Sequence, residues 1–494
     1  MAKIVKFERP LRGALCFMTW LALGHGYGIA APAPAPAPAP AAASAPAVTT
    51  AEQLRVHSVA DQLIRYLNEA VAWTGPSAAR VSLASIKPQI QAAVLAHPEV
   101  QLAGQQRVTA GFATREAFAG YLPQVSANVD TGNRQYDPVN KPWTVVPAYK
   151  DNSQSFGVTA RQMIYDFGAV SGRVEAQRSR ETAAEANSEA KRSDLVLRAV
   201  TAWHEVFRAR QQLKLSEVNR LSRQQILSFI EEREQLGGSS KSDVLRVRAR
   251  LSDAQATLVA TQNRLKATEA SFRETFGAAP AADLGLPEVV AVDLDRFENA
   301  DQLIRSNASY AEALAQTQAA GFDAKSAAAA LLPSINFEVS ATKRDMAGAG
   351  TPGVDRVVGL SVKQNFYTGG AETARKNQAD QRAMQANTEL DNLRRQLERS
   401  IGQTLADARF TDALIGARKD AVLVAASAFE SVREQFAFRR GTLLDLLRAQ
   451  EELYLAGRDL IDGVVDHALA RHRLLHLSME LTPLFEIGIA TAAP

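Results

Sequence analysis

Two short passages decide the fold: Gln162-Met163-Ile164-Tyr165-Asp166-Phe167-Gly168 and Gln364-Asn365-Phe366-Tyr367-Thr368-Gly369-Gly370. They begin 202 residues apart, at 162 and 364. The same spacing separates Lys241-Ser242-Asp243-Val244-Leu245-Arg246 from Leu443-Leu444-Asp445-Leu446-Leu447-Arg448. The offset holds at both ends, so the intervening stretches match in length, and an internal repeat outranks any local reading.

Upstream of each passage the sequence alternates. Leu122-Pro123 and Leu332-Pro333 break the preceding helices. Val125, Ala127, Val129 and Thr131 then interleave with Gln124, Ser126, Asn128 and Asp130. In the second copy Ile335, Phe337 and Val339 interleave with Ser334, Asn336, Glu338 and Ser340. Loops are expected from Gly132 to Asn152 and from Asp345 to Gly353. The partner strands run from about Ser155 to Tyr165 and up to Phe366-Tyr367. Each strand is expected to hold roughly ten residues, the length a tilted strand needs to cross hydrocarbon. Val125 and Phe337 are assigned to the lipid face. Two hairpins give four strands, too few to close a spanning barrel alone. The strands are therefore soluble, or several chains share one barrel.

Downstream, almost nothing breaks a helix from Gly172 to Leu236 or from 371 to 438. Nearly 70 helical residues make a rod of roughly 100 Å. Val196, Val200, Trp203 and Phe207 follow a coiled-coil spacing. On the returning arms, Val244, Leu251, Leu258, Leu265 and Phe272 recur every seventh residue. Leu446, Leu453, Leu460, His467 and Leu474 do the same. The reversals fall at Gly237-Gly238-Ser239-Ser240 and Arg439-Arg440-Gly441-Thr442. Ser240 or Ser242 and Thr442 are candidate caps, with Asp243 and Asp445 in the first turns that follow.

Composition agrees with thin rods. Aromatic residues make up 6% of the 494 positions, too few for a thick core. The net charge of +3 is spread along the helices, and no basic face with stacking aromatics suits nucleic acid. Lys3, Lys6, Arg9 and Arg12 precede the apolar run 13–23, and Gly28-Ile29-Ala30 offers a cleavage site. Residues 1–30 thus read as an export signal, and 31–50 as an Ala/Pro-rich leader. Cys16, the one cysteine, lies inside that signal, so the exported chain needs no disulfide.

An enzyme is disfavoured: there is no phosphate loop and no credible nucleophile triad. His472 and His476 share a helix side, but no zinc signature accompanies them, and a solvated face is expected. His467 reads as a packed or satisfied histidine. No catalytic residue, metal or cofactor is expected. A soluble coiled-coil scaffold would explain the rods but not the signal or the strands.

At this point the chain resembles the TolC family of outer-membrane factors over roughly residues 90–480. The resemblance rests on Tyr121-Leu122-Pro123 and Ala330-Leu331-Leu332-Pro333, on the two strand-to-helix passages, and on the tip motifs ending at Arg246 and Arg448. It implies a membrane β-barrel joined to a long α-helical coiled-coil barrel, with an internal two-fold repeat. Four transmembrane strands per chain would form a twelve-stranded barrel in a homotrimer. The expected layout has N-terminal periplasmic helices and loops at 51–95, and a first repeat at 96–290 (strands about 121–165, helices about 169–276). A second repeat follows at 291–483 (strands about 333–367, helices about 371–477), then a tail at 484–494.

The resemblance further implies a cell outer-membrane duct of a Gram-negative bacterium with its helical tunnel in the periplasm. An adaptor would dock at the tips and link the tunnel to an inner-membrane ABC transporter or another efflux transporter. Type I protein secretion is the favoured role, and small-molecule efflux the alternative. Asp445, Arg448, Asp243 and Arg246 become gate candidates. Gly237, Gly238, Ser239, Ser240, Arg439, Arg440, Gly441 and Thr442 become adaptor contacts. Tyr165, Phe366 and Tyr367 become membrane-interface aromatics. Two departures stand out: Arg448 replaces an acidic position, inviting a pair with Asp445, and Arg439 stands where a tip glycine is usual.

Overall fold

The computed structural model describes residues 50–75, 80–136, 143, 149–347 and 353–487. The expected export signal and nearly all of the Ala/Pro leader lie outside the described residues, as do most of the two strand-connecting loops and the end of the tail.

Three helices open the described chain: α1 (Thr50–Ala72), α2 (Leu83–Ala96) and α3 (Pro98–Phe118). Strands β1 (Gln124–Tyr136) and β2 (Tyr149–Tyr165) follow, then helices α4 (Ala169–Gln235) and α5 (Lys241–Phe276). A connecting stretch leads to α6 (Ala300–Ser306) and α7 (Ala308–Ala329). Strands β3 (Ser334–Ala347) and β4 (Gly353–Lys363), helices α8 (Ala371–Ala437) and α9 (Leu443–Leu477), and the short α10 (Leu481–Leu484) complete it. Helices α4 and α8 each hold 67 residues, about 100 Å of rod. No described helix is long and apolar enough to cross a membrane.

Several boundaries differ from the expected ones. Residues 50–72 form one long helix, where short helices and loops were expected. Leu63, Leu67 and Ala70 recur at spacings of four and three and bury one face. The helix expected near Asp301 is two helices, because the Asn307 carboxamide accepts from the amides of Ser309 and Tyr310 and starts α7 afresh. The strands hold 13, 17, 14 and 11 residues, so they extend into the stretches expected as loops. Strand β4 ends at Lys363, short of Phe366-Tyr367. Its partner β3 starts at Ser334, directly after Pro333, so among the described residues no strand pairs with 364–367.

The strands form one antiparallel sheet of order β1-β2-β3-β4. The helices keep a matching order. Contacts run α3 to α4, α4 to α7 and α7 to α8 in one layer, and α5 to α4, α4 to α9 and α9 to α8 in another. In both layers an element of the first half lies at one end and α8 at the other.

The strand-to-helix turns need left-handed backbone, at Phe167 (φ 55°) and Gly168 (φ 101°) in one copy and Gly369 (φ 66°) and Gly370 (φ 83°) in the other. Phe167 carries a Cβ there at a cost of about 1–2 kcal/mol. Asp166 offsets it by accepting from the amides of Gly168 (3.1 Å) and Val170 (2.6 Å). The core follows α4 and α9: Val196, Val200, Trp203 and Phe207 are buried, as are Leu446, Leu453, Leu460 and Leu474. Leu251, Leu258 and Leu265 of α5 are only half-buried.

Candidate functional site

The sheet has two chemically distinct faces. Register places Val125, Ala160, Val339 and Val358 side by side across all four strands. The next rows on that face are Ala127, Val158, Ala341 and Arg356, then Val129, Phe156, Lys343 and Val354. Phe337 pairs with Leu360, and Ile335 with Val362. Val125 and Phe337 therefore share one apolar face. The other face carries Ser126, Thr159 and Ser340 in one row, and Asn128, Gly157 and Thr342 in another. Arg161 and Glu338 form an ion pair there at 3.2 Å. A Cβ on Gly157 would lie 2.6 Å from Asn128 Oδ1, so the glycine lets the neighbouring polar side chains close over it.

From Val354 to Val362 the apolar face runs about 27 Å along the strand. Tilted at the roughly 40° of spanning barrels, that is about 20 Å of height, close to a membrane's apolar band. An irregularity at Met163/Tyr165 inserts Ile164 and brings Tyr165 beside Ile335. Tyr165 thus joins the apolar face at the sheet's helix-proximal end, where its ring meets Phe167 edge-on at 4.7 Å. Phe366 and Tyr367 follow β4 at the same end and are almost fully exposed, at 91% and 87%.

The helical tips are built alike from different residues. At the first, Gly237 is left-handed and Gly238 N–H donates to Arg233 O. Ser240 then makes a reciprocal cap: its Oγ accepts from Asp243 N–H, and its own N–H donates to Asp243 Oδ2. The Ser240 hydroxyl also donates to Asp243 Oδ2 (2.7 Å), which holds that carboxyl below its usual range. Arg246 stands 3.8 Å from Asp243. At the second tip, Arg439 adopts the left-handed turn (φ 61°), and Arg440 and Gly441 donate to Gln435 O. The usual glycine is thus replaced without losing the turn. Thr442 Oγ1 accepts from Asp445 N–H and donates to Asp445 Oδ2 at 2.6 Å. Asp445 is held by Thr442, and no ion pair joins it to Arg448 among the described residues; three residues further along the helix, Arg448 faces solvent.

The histidines correct one expectation. His472 and His476 do not face solvent but α4. His472 is buried against His204, with ring centroids 5.4 Å apart. Each Nδ1 donates to the carbonyl four residues earlier, Val200 or Ala468, which leaves each Nε2 as an unpartnered lone pair. Burial pushes His204 down to about 3 and His472 down to about 4. His476 Nδ1 bonds Ser193 Oγ at 2.8 Å. His467 is satisfied by Asp412 at 2.8 Å.

Sequence periodicity missed the polar seam between α4 and α9. Arg208 bonds Asp466 at 2.6 Å, Gln212 donates to Asp462, Ser216 meets Tyr454, Gln450 meets Asn219, and Arg223 pairs with Glu451. Alternation of helix faces does not mark these residues, because each is a polar group facing another polar group. His97, Glu99 and Glu274 also converge. His97 Nδ1 accepts from the Glu99 amide, which places the ring proton on Nε2, toward Glu274. Arg198 grips both Glu99 oxygens. That is an ion network, not a set of free donors.

Known proteins share this arrangement of a two-faced sheet on 100 Å rods. The model of the family described as outer membrane efflux protein matches residues 89–278 and 299–477. Outer membrane efflux protein BepC of Brucella suis is 25% identical over 74% of this chain and 79% of its own length. Proteases secretion protein PrtF of Dickeya chrysanthemi is 23% identical over 73% of this chain and 79% of its own. The crystal structure of the outer membrane protein VceC from Vibrio cholerae superposes with a TM-score of 0.71 at 18% identity, covering 80% of this chain and 96% of VceC. Family and fold are those of outer-membrane channels, not of enzymes. The chain belongs to the outer membrane efflux protein family and is an outer-membrane factor of the TolC type.

Proposed function

We propose that this protein is the exit duct of a type I secretion system, working as a homotrimer in the outer membrane of a Gram-negative bacterium. The observation that carries the reading is a sheet with one mainly apolar face, interrupted by Lys343 and Arg356, and two open edges. Among the described residues, strands β1 and β4 have no outer neighbour. Four strands cannot close a barrel, but β4 of one copy can pair with β1 of the next until three copies give twelve strands. The apolar face then meets lipid and the polar face lines the pore. The helices continue the pore into the periplasm.

In this reading a periplasmic adaptor grips the tips at Gly237 to Ser240 and Arg439 to Thr442. An inner-membrane ABC transporter supplies the energy. Asp445, Arg448, Asp243 and Arg246 narrow the closed end. No cofactor takes part. The name of PrtF, a proteases secretion protein, supports protein cargo. That of BepC favours the second reading, an efflux channel served by another efflux transporter.

The extracellular proteome of a deletion strain, compared with its parent, tests the cargo. Loss of one or a few large proteins from the medium, with retention in cells, is expected. An unchanged proteome with raised small-molecule accumulation would replace secretion with efflux.

A further inference from the structure

Helix α1 lies outside the segments matched by the family model, yet its described second half buries Leu63, Tyr66, Leu67 and Ala70. It touches α4 of the first helical hairpin and both α8 and α9 of the second. Leu63 and Leu67 are fully buried. We propose that α1 is a strap that holds the second hairpin against the first and keeps the duct's tips closed.

Three contacts define it. Tyr66 Oη donates to Gln211 O at 2.8 Å and fixes the strap to α4. Leu67 fills a notch in α9 at Gly457, where a Cβ would stand 2.4 Å from Leu67 Cδ2. Asp61 accepts from Arg433 Nη1 at 3.0 Å, one turn before the end of α8. Arg433 is only 7% exposed, its Nε has no partner, and Asp61 is its one ion pair among the described residues. A buried guanidinium with a single counter-charge binds that partner firmly, because separation leaves the charge stranded in a poorly solvated site. The strap therefore grips the second hairpin at its tip end and its middle, and the first hairpin between.

The two hairpins also meet along the polar seam of α4 and α9 and at apolar contacts, Phe229 with Phe436 and Leu215 near Gly457. Hydrogen bonds and ion pairs can exchange partners with water when such a seam slides, whereas Leu67 cannot leave its notch without exposing apolar surface. Opening the tips by swinging the α8–α9 pair away from α4 thus requires the strap to let go on one side. The glycine at 457 and the lone carboxylate at 61 are the two points where a single substitution releases it.

This inference rests on the duct reading. The test is single-channel recording of the full-length protein in planar lipid bilayers, with Asp61→Ala, Gly457→Ala and the charge swap Asp61→Arg with Arg433→Asp. Each single variant is expected to conduct several-fold more than the parent, and the swap to return toward the parent value. A general loss of packing would not be reversed by a swap. Parent-like conductance in both single variants, while the paired substitution of Asp445 and Arg448 opens the pore, overturns the strap. If Gly457→Ala does not assemble, the Asp61 pair decides alone. No channel in the parent overturns the duct reading and the strap with it.

Discussion

Val357 and Val358 are adjacent, chemically identical and both exposed, at 57% and 69%. Register puts them on opposite faces of the sheet. Val358 lies in the apolar row with Val125, Ala160 and Val339, and Val357 in the polar row with Ser126, Thr159 and Ser340. Val358 is also the middle residue of β4, so its row sits near mid-height of the apolar band. An arginine on the lipid face at that depth costs about 2–4 kcal/mol. Three copies raise the cost to about 6–12 kcal/mol per assembly, comparable with the ~5–15 kcal/mol that stabilises an ordinary folded protein. Val357→Arg places the same side chain in the proposed aqueous pore, where its cost is near zero. The assay is the amount of heat-resistant trimer in outer-membrane fractions, followed by urea unfolding of the protein in vesicles. Val357→Arg should match the parent, while Val358→Arg should be depleted and unfold at lower urea. Equal tolerance of the two, or the reverse order, refutes the assignment of faces. Charge at Val125 or Phe337 should act like charge at Val358.

Acid should weaken the α4–α9 contact. His204 and His472 stay neutral down to about 3 and 4 when folded, but titrate near 6.5 when unfolded. Below pH 6.5 the unfolded chain binds protons that the native chain refuses, so stability falls with falling pH through the window from 6.5 to about 4. The loss is about 2 kcal/mol per histidine at pH 5. Urea unfolding at pH 7 and pH 5 should show it, and replacing both histidines by leucine should flatten the slope; an unchanged slope would assign the effect elsewhere. Replacing Asp445 and Arg448 by alanine should loosen the tip and raise single-channel conductance, and an unchanged conductance counts against a gate there. Ser240→Ala and Thr442→Ala each remove a helix cap worth about 1 kcal/mol. Amide exchange should quicken in the first turns of α5 and α9, and unaltered protection would show that the caps contribute nothing.

Much of the architecture was legible because the chain states it twice. Pro123 and Pro333 mark where strands begin, since a proline before an alternating run stops a helix and donates no ladder bond. The tips were legible from Gly237 and Gly441 together with the cap residues Ser240 and Thr442. Strand ends were harder, because β4 stops where β3 runs out of partner, a fact about the neighbour rather than about Phe366. The bulge at Ile164 was invisible for the same reason: it exists to bring Tyr165 level with Ile335. Arg439 stands where a tip glycine is usual, yet the backbone adopts the left-handed conformation there. His472 and His476 were expected on a solvated face because hydropathy assigns histidine to water, whereas His472 meets His204 across two helices that no local window contains.

The open ends of the strip carry the argument for assembly further than any single site. In the sheet, β1 and β4 are the edges; in the helical layers, α3 or α5 lies at one end and α8 at the other. All three layers are therefore unfinished on the same two sides. Those sides are also where apolar residues remain uncovered: Leu102, Val108 and Phe112 on α3, Leu245 and Val259 on α5, Met384, Phe410 and Val424 on α8. A two-fold pairing would cover one of these sides and leave the other open. Head-to-tail joining covers both, and such contacts either close into a ring or run on as a filament. Curvature decides between them. A spanning barrel of four strands per copy closes at a small integer, and the rods attached to each strand must then close at the same number. In the proposed assembly the barrel and the tunnel are a single geometric commitment, and a substitution that alters the count in one layer should fail in the others.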